Sequence, residues 1–297
     1  DMDDLEDTQY RLEKELEELR PIRAFVRMGD GTAAEAPAVM DEATPTDLAP
    51  LREPPAAPQV ATHNFRFSED YDLYPSGAKT KYKNNVMAIK LLKQIELEKR
   101  TATPEEQIIL ARYVGWGGLA NAFSSTASGW ENEYQELKSL LTDVEYKAAM
   151  NSTITAYYTE PDLIRHIYRA LERFGFEGGP DRKILDPGMG TGNFYSVLPE
   201  QFQGSKLFGV ELDSITGRIA KQLYPDADIS IMGYEATKFE DNSFDVILGN
   251  IPFNSVKIYD RRYNDLNPYI HDYFFIKSLD LAKPGGIIAV SYTHLRA

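Results

Sequence analysis

Two short stretches of the sequence combine residue types that could bind and transform a small molecule. The stretch DPGMGTGNF, residues 186–194, has glycine at every second position from Gly188 to Gly192. Glycine lets the backbone turn sharply and lets a ligand approach main-chain amides without a Cβ in the way. The stretch GNIPFN, residues 249–254, places an amide, a proline and an aromatic ring directly after an apolar run, a combination rare in plain surface loops. We interpret the first stretch as a cofactor-binding turn and the second as a substrate-binding loop.

Acidic residues near the glycine turn indicate which ligand it binds. NAD, FAD and S-adenosylmethionine enzymes all use glycine-rich turns, but a pyrophosphate would be repelled by Asp186, whereas a sulfonium and an amino group would be attracted. Glu211 follows Gly188 by 23 residues and could accept hydrogen bonds from ribose hydroxyls, or be a solvated strand-end carboxylate. Glu235 could accept from the exocyclic amine of a cofactor adenine, although surface glutamates after strands are common. We predict S-adenosyl-L-methionine as the cofactor and, as its binding residues, Asp186, Gly188, Gly190, Gly192, Phe194, Glu211, Glu235 and Asn250.

The composition of GNIPFN suits a planar base that carries an amino group. The amide oxygen of Asn250 and the carbonyl of Ile251, held by Pro252, form paired acceptors for two amine hydrogens, and Phe253 supplies a stacking face. These are the requirements for presenting the N6 amine of an adenine taken out of a helix. We therefore predict Asn250, Ile251, Pro252 and Phe253 as the catalytic residues.

The elements that must position these residues alternate between strands and helices. Five apolar segments follow Pro180: KILDP (183–187), KLFGVELD (206–213), DISIMG (228–233), FDVILGN (244–250) and GGIIAV (285–290). Strands separated by helical stretches predict a doubly wound α/β fold with a parallel sheet. Upstream, helices are predicted over 84–100, from a Thr103 cap to about Val114, and over 132–151. The segment GWGG (115–118) indicates either a helix terminus with a buried tryptophan or a loop close to a ligand.

Composition and charge exclude several classes of protein. The chain has 297 residues, no cysteine and four scattered histidines, which removes disulfides, thiolate nucleophiles and cysteine zinc sites, so we predict no metal. No apolar run approaches the roughly 18 residues of a membrane span, and the first residues do not form a signal sequence, so we predict a cytoplasmic protein with no membrane partner. Residues 1–60 hold 15 acidic and 6 basic side chains and so account for −9 of the net charge of −14. A local basic face on the remainder stays compatible with nucleic acid.

The chain divides into five segments. We predict a charged helix over 1–28, a disordered linker over 29–62, a helical subdomain over 63–151 and the cofactor-binding domain over 152–290. The last seven residues, SYTHLRA (291–297), neither continue a strand nor supply a turn, and they resemble translated sequencing-adapter read-through. We interpret them as a non-native tail, which implies a sheet that stops at its fifth strand with an unpaired edge.

The motifs together resemble those of a known enzyme family. NIPF is similar to the [DNS]PP[YF] motif of amino-methyltransferases, and DPGMGTGNF, GVELD and the KPGG turn at 283–286 strengthen the match. The segment TAYYTEP (155–161) looks like the FYTP motif beside the methionine end of the cofactor, which implies Tyr158 and Thr159 as further cofactor-binding residues; the extra Glu160 departs from that motif. The resemblance implies an α/β, Rossmann-like class I methyltransferase sheet, truncated after the fifth strand, with an N-terminal helical subdomain.

A closer resemblance covers residues 65 to 290. The runs NNVMAIKLLKQIE, ATPEEQIILARYVGWGGLANAF and AYYTEPDLI are similar to the methyltransferase portion of the large methyltransferase–helicase proteins of conjugative elements and plasmids, which resemble phage antirestriction proteins. An SNF2-type helicase typically follows there, and none of its motifs occurs here. Ile251 replaces the usual proline and also matches ribosomal RNA adenine dimethyltransferases, but those usually carry Glu at the position of Asp186 and lack the YYT segment.

The resemblance therefore implies an N6-adenine DNA methyltransferase domain with DNA as partner and a C-terminal helicase region as a further one. Three alternatives stay open: a catalytically weak antirestriction factor that binds DNA, an RNA adenine methyltransferase, and a protein glutamine methyltransferase. A nicotinamide dehydrogenase would leave NIPF unexplained.

Overall fold

Six strands form a single sheet in the computed structural model, which describes residues 23–26, 63–74, 76–154 and 159–291. The strands are β1 (Arg23–Val26), β2 (Lys183–Asp186), β3 (Lys206–Glu211), β4 (Asp228–Ile231), β5 (Phe244–Asn250) and β6 (Ala282–Ser291). Their order is β1-β6-β5-β2-β3-β4, with β2 to β6 parallel and β1 antiparallel to β6. All five predicted strands are present, and the predicted doubly wound α/β fold is confirmed.

The central strands are apolar because helices cover both faces of the sheet. Successive side chains of a strand point to opposite faces. On β5, Val246 and Leu248 pack into one hydrophobic cluster and Ile247 into the other. The same alternation separates Ile287 from Ile288 on β6. A near-continuous apolar run such as FDVILG is therefore what a parallel strand buried on both faces requires.

Eight helices accompany the sheet in the described part of the chain. They are α1 (Ala78–Leu97), α2 (Pro104–Ala111), α3 (Glu131–Leu140), α4 (Asp143–Asn151), α5 (Pro161–Arg173), α6 (Asn193–Ser196), α7 (Ser214–Leu223) and α8 (Ile270–Leu281). Thr103 caps α2 through a reciprocal capping box with Glu106, as predicted. The single helix predicted over 132–151 is two helices, because Thr142 forms a second capping box with Glu145 that starts α4.

The helical subdomain docks on α7, the helix that follows Glu211. Arg218 of α7 donates to Glu96 of α1 at 2.9 Å and to Glu145 of α4, which also accepts from Lys93. Gln107 of α2 donates to the carbonyl of Gln222 at 2.9 Å. Buried side chains of the subdomain and of one sheet face belong to one hydrophobic cluster. The subdomain is therefore continuous with the core of the sheet.

The GWGG segment forms part of this core. Trp116 is 1% exposed and makes edge-on contacts with the rings of Tyr82, Tyr113 and Phe123. The buried side chain of Asn85 accepts from the Val114 amide and donates to the Gly115 carbonyl. These contacts support the interpretation of GWGG as a helix terminus with a buried tryptophan.

Two expectations at the sheet edge are wrong. Residues 23–26, predicted as part of a charged helix, form β1, and this strand pairs with the β6 edge that was expected to be unpaired, with Arg23 opposite Val290. Ser291, assigned to the non-native tail, continues β6 and lies opposite Asn250. The remaining residues of the predicted helix and tail, and the predicted linker up to residue 62, lie outside the described residues.

Candidate functional site

Three predicted site residues are the last residues of three strands. Asp186 ends β2, Glu211 ends β3 and Asn250 ends β5. These strands are neighbours in the sheet. From β2 the chain continues to β3 and β4 on one side, and it then crosses back to β5 on the other side of β2. Ligands of open α/β sheets bind at such a reversal, beyond the carboxyl ends of the strands. The fold therefore brings the predicted cofactor turn and the predicted substrate loop to one location.

The glycine turn between β2 and α6 is built around positive backbone angles and close contacts. Gly190 has φ +56° and Gly192 has φ +88°, values that favour glycine. A Cβ on Gly192 would lie 2.3 Å from the Tyr224 ring. The amide of Gly188 donates to Asp186 at 3.1 Å, and the amide of Gly190 donates to Glu211 at 2.9 Å. The turn therefore connects two strand-end carboxylates through its own backbone.

Both carboxylates are held in surroundings that disfavour their charge. Asp186 is 1% exposed, and burial raises its pKa to about 8, opposed by the Gly188 amide and reinforced by the charge of Glu211. Burial likewise raises the pKa of Glu211 to about 7, although it accepts from the amides of Asp213 and Gly190. Gly249 makes room for Asp186, since a Cβ there would lie 2.5 Å from Oδ1. Two carboxylates of this kind fit a cationic ligand that also carries ribose hydroxyls.

Thr159 offers an independent sign of a ligand beside the turn. Its side chain is 8% exposed, and Oγ1 finds no hydrogen-bond partner among the described residues. Its carbonyl accepts from the side chain of Asn193 at 3.4 Å, so Thr159 lies next to the start of α6. A buried hydroxyl without a partner costs free energy that a bound polar ligand would recover. Tyr158 lies outside the described residues.

The other two predicted cofactor residues differ in exposure. Glu235 is exposed in a short 3-10 turn, Tyr234–Ala236, after β4, where its carboxylate lies over Gly233. Phe194 is 3% exposed and packs in the hydrophobic core, while its carbonyl accepts from the Tyr168 hydroxyl. The Phe194 side chain therefore lies in the hydrophobic core and packs under the glycine turn.

The substrate loop is fixed to β6 and lies against the glycine turn. The Ile251 amide donates to the Ser291 carbonyl at 3.2 Å, and the Ile251 side chain is 4% exposed. A Cβ built on Gly188 would lie 3.6 Å from the Asn250 carbonyl oxygen and 4.0 Å from the Pro252 ring. The backbone that follows β5 therefore contacts the position where the cofactor turn begins.

Phe253 belongs to a column of three aromatic rings. It stacks on His271 with ring centroids 4.2 Å apart and planes 21° apart, and His271 is nearly parallel to Tyr269 at 5.8 Å. Nδ1 of His271 is buried with no hydrogen-bond partner in the described part of the chain. One face of Phe253 is therefore already covered. The sequence carried no signal for this contact, because His271 lies on α8, beyond the long loop that follows Phe253.

A largely apolar cleft of about 740 Å³ extends from this column along α8. Its lining includes Ile251, Phe253, His271, Phe275, Ile276 and Ile288.

Within the described ranges, no helix is long and apolar enough to cross a membrane. The described part of the chain also contains no group of three or more His, Asp or Glu side chains arranged to hold a metal ion.

Comparison with known proteins agrees with this geometry. A family model described as a methyltransferase domain matches residues 185–264, a range that contains the glycine turn, Glu211 and the substrate loop. The match confirms the prediction of a methyltransferase domain with S-adenosyl-L-methionine as its cofactor. The raised pKa values of the two carboxylates, and the Thr159 hydroxyl that finds no partner among the described residues, are consistent with S-adenosyl-L-methionine at this site.

Two curated relatives are viral proteins. The chain is 28% identical over 213 residues to "Defense against restriction protein B" of Escherichia phage P1, which covers 69% of the chain and 8% of that protein. It is 32% identical over 78 residues to "Modification methylase CviBIII" of Paramecium bursaria Chlorella virus NC1A, which covers 26% of the chain and 21% of that protein. The chain thus spans a small part of the length of either relative.

Among solved structures, the chain resembles a geranyl diphosphate C-methyltransferase of Streptomyces coelicolor A3(2) at 18% identity and TM-score 0.34, covering 60% of the chain and 55% of that structure. It also resembles a phosphoethanolamine N-methyltransferase of Haemonchus contortus at 23% identity and TM-score 0.32, covering 42% of the chain and 27% of that structure.

Proposed function

We propose that this chain carries an S-adenosyl-L-methionine-dependent N6-adenine DNA methyltransferase domain. The observation that carries the proposal is the proximity of the two predicted stretches: the Asn250 carbonyl and the Pro252 ring lie within 4.0 Å of the place that a Cβ on Gly188 would occupy, so the acceptor loop adjoins the cofactor turn. The resemblance to a viral modification methylase supports DNA as the substrate. The resemblance to a phage protein named for defence against restriction, of which the chain spans 8%, supports a role within a longer protein of a mobile element. A C-terminal helicase region in that protein stays a prediction.

The cofactor would be held by the turn and the strand ends. Asp186 would accept from its amino group and attract its sulfonium, and Glu211 would accept from its ribose hydroxyls. Glu235, exposed after β4, would accept from its adenine amine, and the buried Thr159 hydroxyl would face its methionine end. When bound, S-adenosyl-L-methionine would supply an electrophilic methyl group, and its sulfur, freed of that methyl, would leave as the neutral thioether of S-adenosyl-L-homocysteine.

The chain's own groups would then present the acceptor amine. The side-chain oxygen of Asn250 and the carbonyl of Ile251 would accept the two N6 hydrogens, which orients the nitrogen and stabilises the positive charge that develops on it. The amine proton would leave to solvent, so neither a metal nor a covalent bond to the enzyme is required. Pro252 fixes the angle between the two acceptors, and Phe253 would stack on the base.

The phage relative's name favours one second candidate, a protein that binds DNA to protect it without efficient turnover. Transfer of tritium from methyl-labelled cofactor separates the two functions. We expect incorporation into adenine-containing duplexes, and much less into RNA, into protein or into duplexes with N6-methyladenine at the target sites. If wild type and Asn250→Ala both bind DNA but show the same background level of tritium incorporation, the protective function is favoured and the proposal is contradicted.

A further inference from the structure

A buried lysine connects the two loops of the site. Lys277 lies on α8 and is 6% exposed, which is rare for a lysine. Its Nζ donates to the Tyr234 carbonyl at 2.6 Å and lies 3.4 Å from the Thr237 carbonyl. The same nitrogen is 4.0 Å from a carboxylate oxygen of Asp260. One ammonium group therefore contacts the turn after β4 and the loop after β5.

The turn contacted by Lys277 is the one that carries Glu235. Tyr234 makes three interactions with α8. Its carbonyl accepts a hydrogen bond from Lys277, and its ring makes a cation–π contact with the same ammonium, 4.8 Å from the ring centre. Its hydroxyl is hydrogen-bonded to the Ser278 hydroxyl at 3.2 Å. Thr237 closes the turn by donating its hydroxyl to the same Tyr234 carbonyl at 2.8 Å. The position of Glu235 is therefore set from α8. We name residues 234–237 the cofactor-side turn.

The carboxylate contacted by Lys277 anchors the long loop that begins at the substrate motif. Asp260 accepts from the Tyr273 hydroxyl at 2.6 Å and from the Arg262 amide at 3.0 Å. Its side chain is largely buried, so its charge needs these donors. We name residues 251–269 the acceptor-side loop. Asp260 is its midpoint, and α8 holds it through Tyr273 and Lys277, one helical turn apart.

Burial of this lysine is costly, and its surroundings show what offsets the cost. Burial lowers the pKa of Lys277, while Asp260 and Glu235 act in the opposite direction and Arg262 adds a smaller lowering effect. The two carboxylates that favour the charged form come from the two different loops. The ammonium is therefore most stable when both loops are in place, which makes the arrangement of each loop depend on the other.

We propose that Lys277 is a positioning residue that couples the cofactor-side turn to the acceptor-side loop, so that cofactor binding orders the loop that receives the substrate. The roles of the two loops, Glu235 at the cofactor and residues 251–269 at the acceptor, rest on the proposed function, whereas the contacts of Lys277 with both loops do not. The test therefore uses the whole chain and the cofactor alone, without nucleic acid.

Trypsin reports directly on the loop because Lys257 and Arg261 lie in it. We expect S-adenosyl-L-methionine to slow cleavage at these sites in the wild-type chain about fivefold or more, since coupling free energies between sites typically correspond to such factors. In Lys277→Met, which keeps the length and loses the charge, this protection ratio should fall below about twofold. Lys277→Arg should recover part of it.

Lys283→Met is the matched control, because Lys283 also pairs with a buried carboxylate, Asp245, at the opposite end of β5. It should keep the wild-type ratio. A lysine that only stabilises the fold would change the melting temperature and leave the ratio intact, so an unchanged ratio in Lys277→Met overturns the proposal, as does the absence of protection in the wild type.

If Lys277→Met does not fold, Tyr273→Phe provides a second test, since it removes only the hydroxyl that α8 donates to Asp260. It should accelerate cleavage of the unliganded loop and reduce the protection ratio. Wild-type values for both measurements would overturn the proposal. Failure of DNA methylation in a separate assay would leave these results unaffected and would count against the proposed function alone.

Discussion

Removal of the Glu211 carboxylate should weaken cofactor binding while leaving the turn folded. In the structure this carboxylate accepts from the amides of Gly190 and Asp213 at 2.9 and 2.8 Å, one on each oxygen. Each oxygen keeps a lone pair for a ribose hydroxyl. A hydrogen bond to a charged group contributes about 1.5–3 kcal/mol, so Glu211→Ala should lose about tenfold or more in affinity for S-adenosyl-L-methionine.

Isothermal titration calorimetry measures this loss directly, with Glu240→Ala as the control because Glu240 is exposed and lies before β5. The free energy of unfolding should change little, since the two lost backbone hydrogen bonds are offset by the removal of a carboxylate whose burial is unfavourable. An affinity within twofold of wild type, in a folded Glu211→Ala chain, would refute the assignment of this residue to the cofactor.

Four further predictions follow from the site. Because the pKa of Asp186 is raised to about 8 and that of Glu211 to about 7, the folded chain binds protons that the unfolded chain releases, so its stability should fall as pH rises from about 5 to 8. Cofactor affinity measured by calorimetry should rise over pH 6–8.5, because the carboxylates lose their protons there. A flat affinity profile would contradict this. Asn250→Ala should reduce methyl transfer roughly 100- to 1000-fold with cofactor affinity unchanged, as tested by tritium incorporation beside calorimetry, because the lost contact strengthens in the transition state. Phe253→Ala should weaken productive DNA binding by about 1–3 kcal/mol through lost stacking, measured by fluorescence anisotropy, and equal binding would show that the base stacks elsewhere. Gly192→Ala should lower the free energy of unfolding by about 2 kcal/mol or more in urea titrations, because φ is +88° and the new Cβ would meet the Tyr224 ring.

The parts of the site that the sequence made predictable are those fixed by local chemistry. A glycine turn, a strand-end acid and an Asn-Ile-Pro-Phe run each follow an apolar strand, and parallel strands bring their carboxyl ends to one edge. Asp186, Glu211 and Asn250 could therefore be placed together without coordinates. The cap at Thr103 was predictable for the same reason, since its partner Glu106 is three residues away.

Contacts between residues distant in sequence were not predictable. His271 meets Phe253 only because α8 returns to the start of the acceptor-side loop, and Lys277 is buried because two loops converge on it. Strand β1 pairs with a strand more than 250 residues away, and its four residues, RAFV, gave no reason to separate it from the charged segment before it. The sequence also predicted Phe194 as a cofactor-binding residue, whereas its side chain packs in the core, because the composition of the turn does not show which way the first side chains of α6 point.

The pairing of β5 with β6 gives the site an order of assembly during synthesis. The glycine turn and Glu211 have been synthesised once residue 211 is added, whereas the bonds of the Asn250 and Ile251 backbone to β6 require Ser291. At about 5–20 residues per second, the ribosome adds the intervening segment over several seconds. A nascent chain would thus contain Asp186, the glycine turn and Glu211 for several seconds before the loop after β5 acquires its neighbouring strand, so the two sides of the site come together only when β6 joins the sheet.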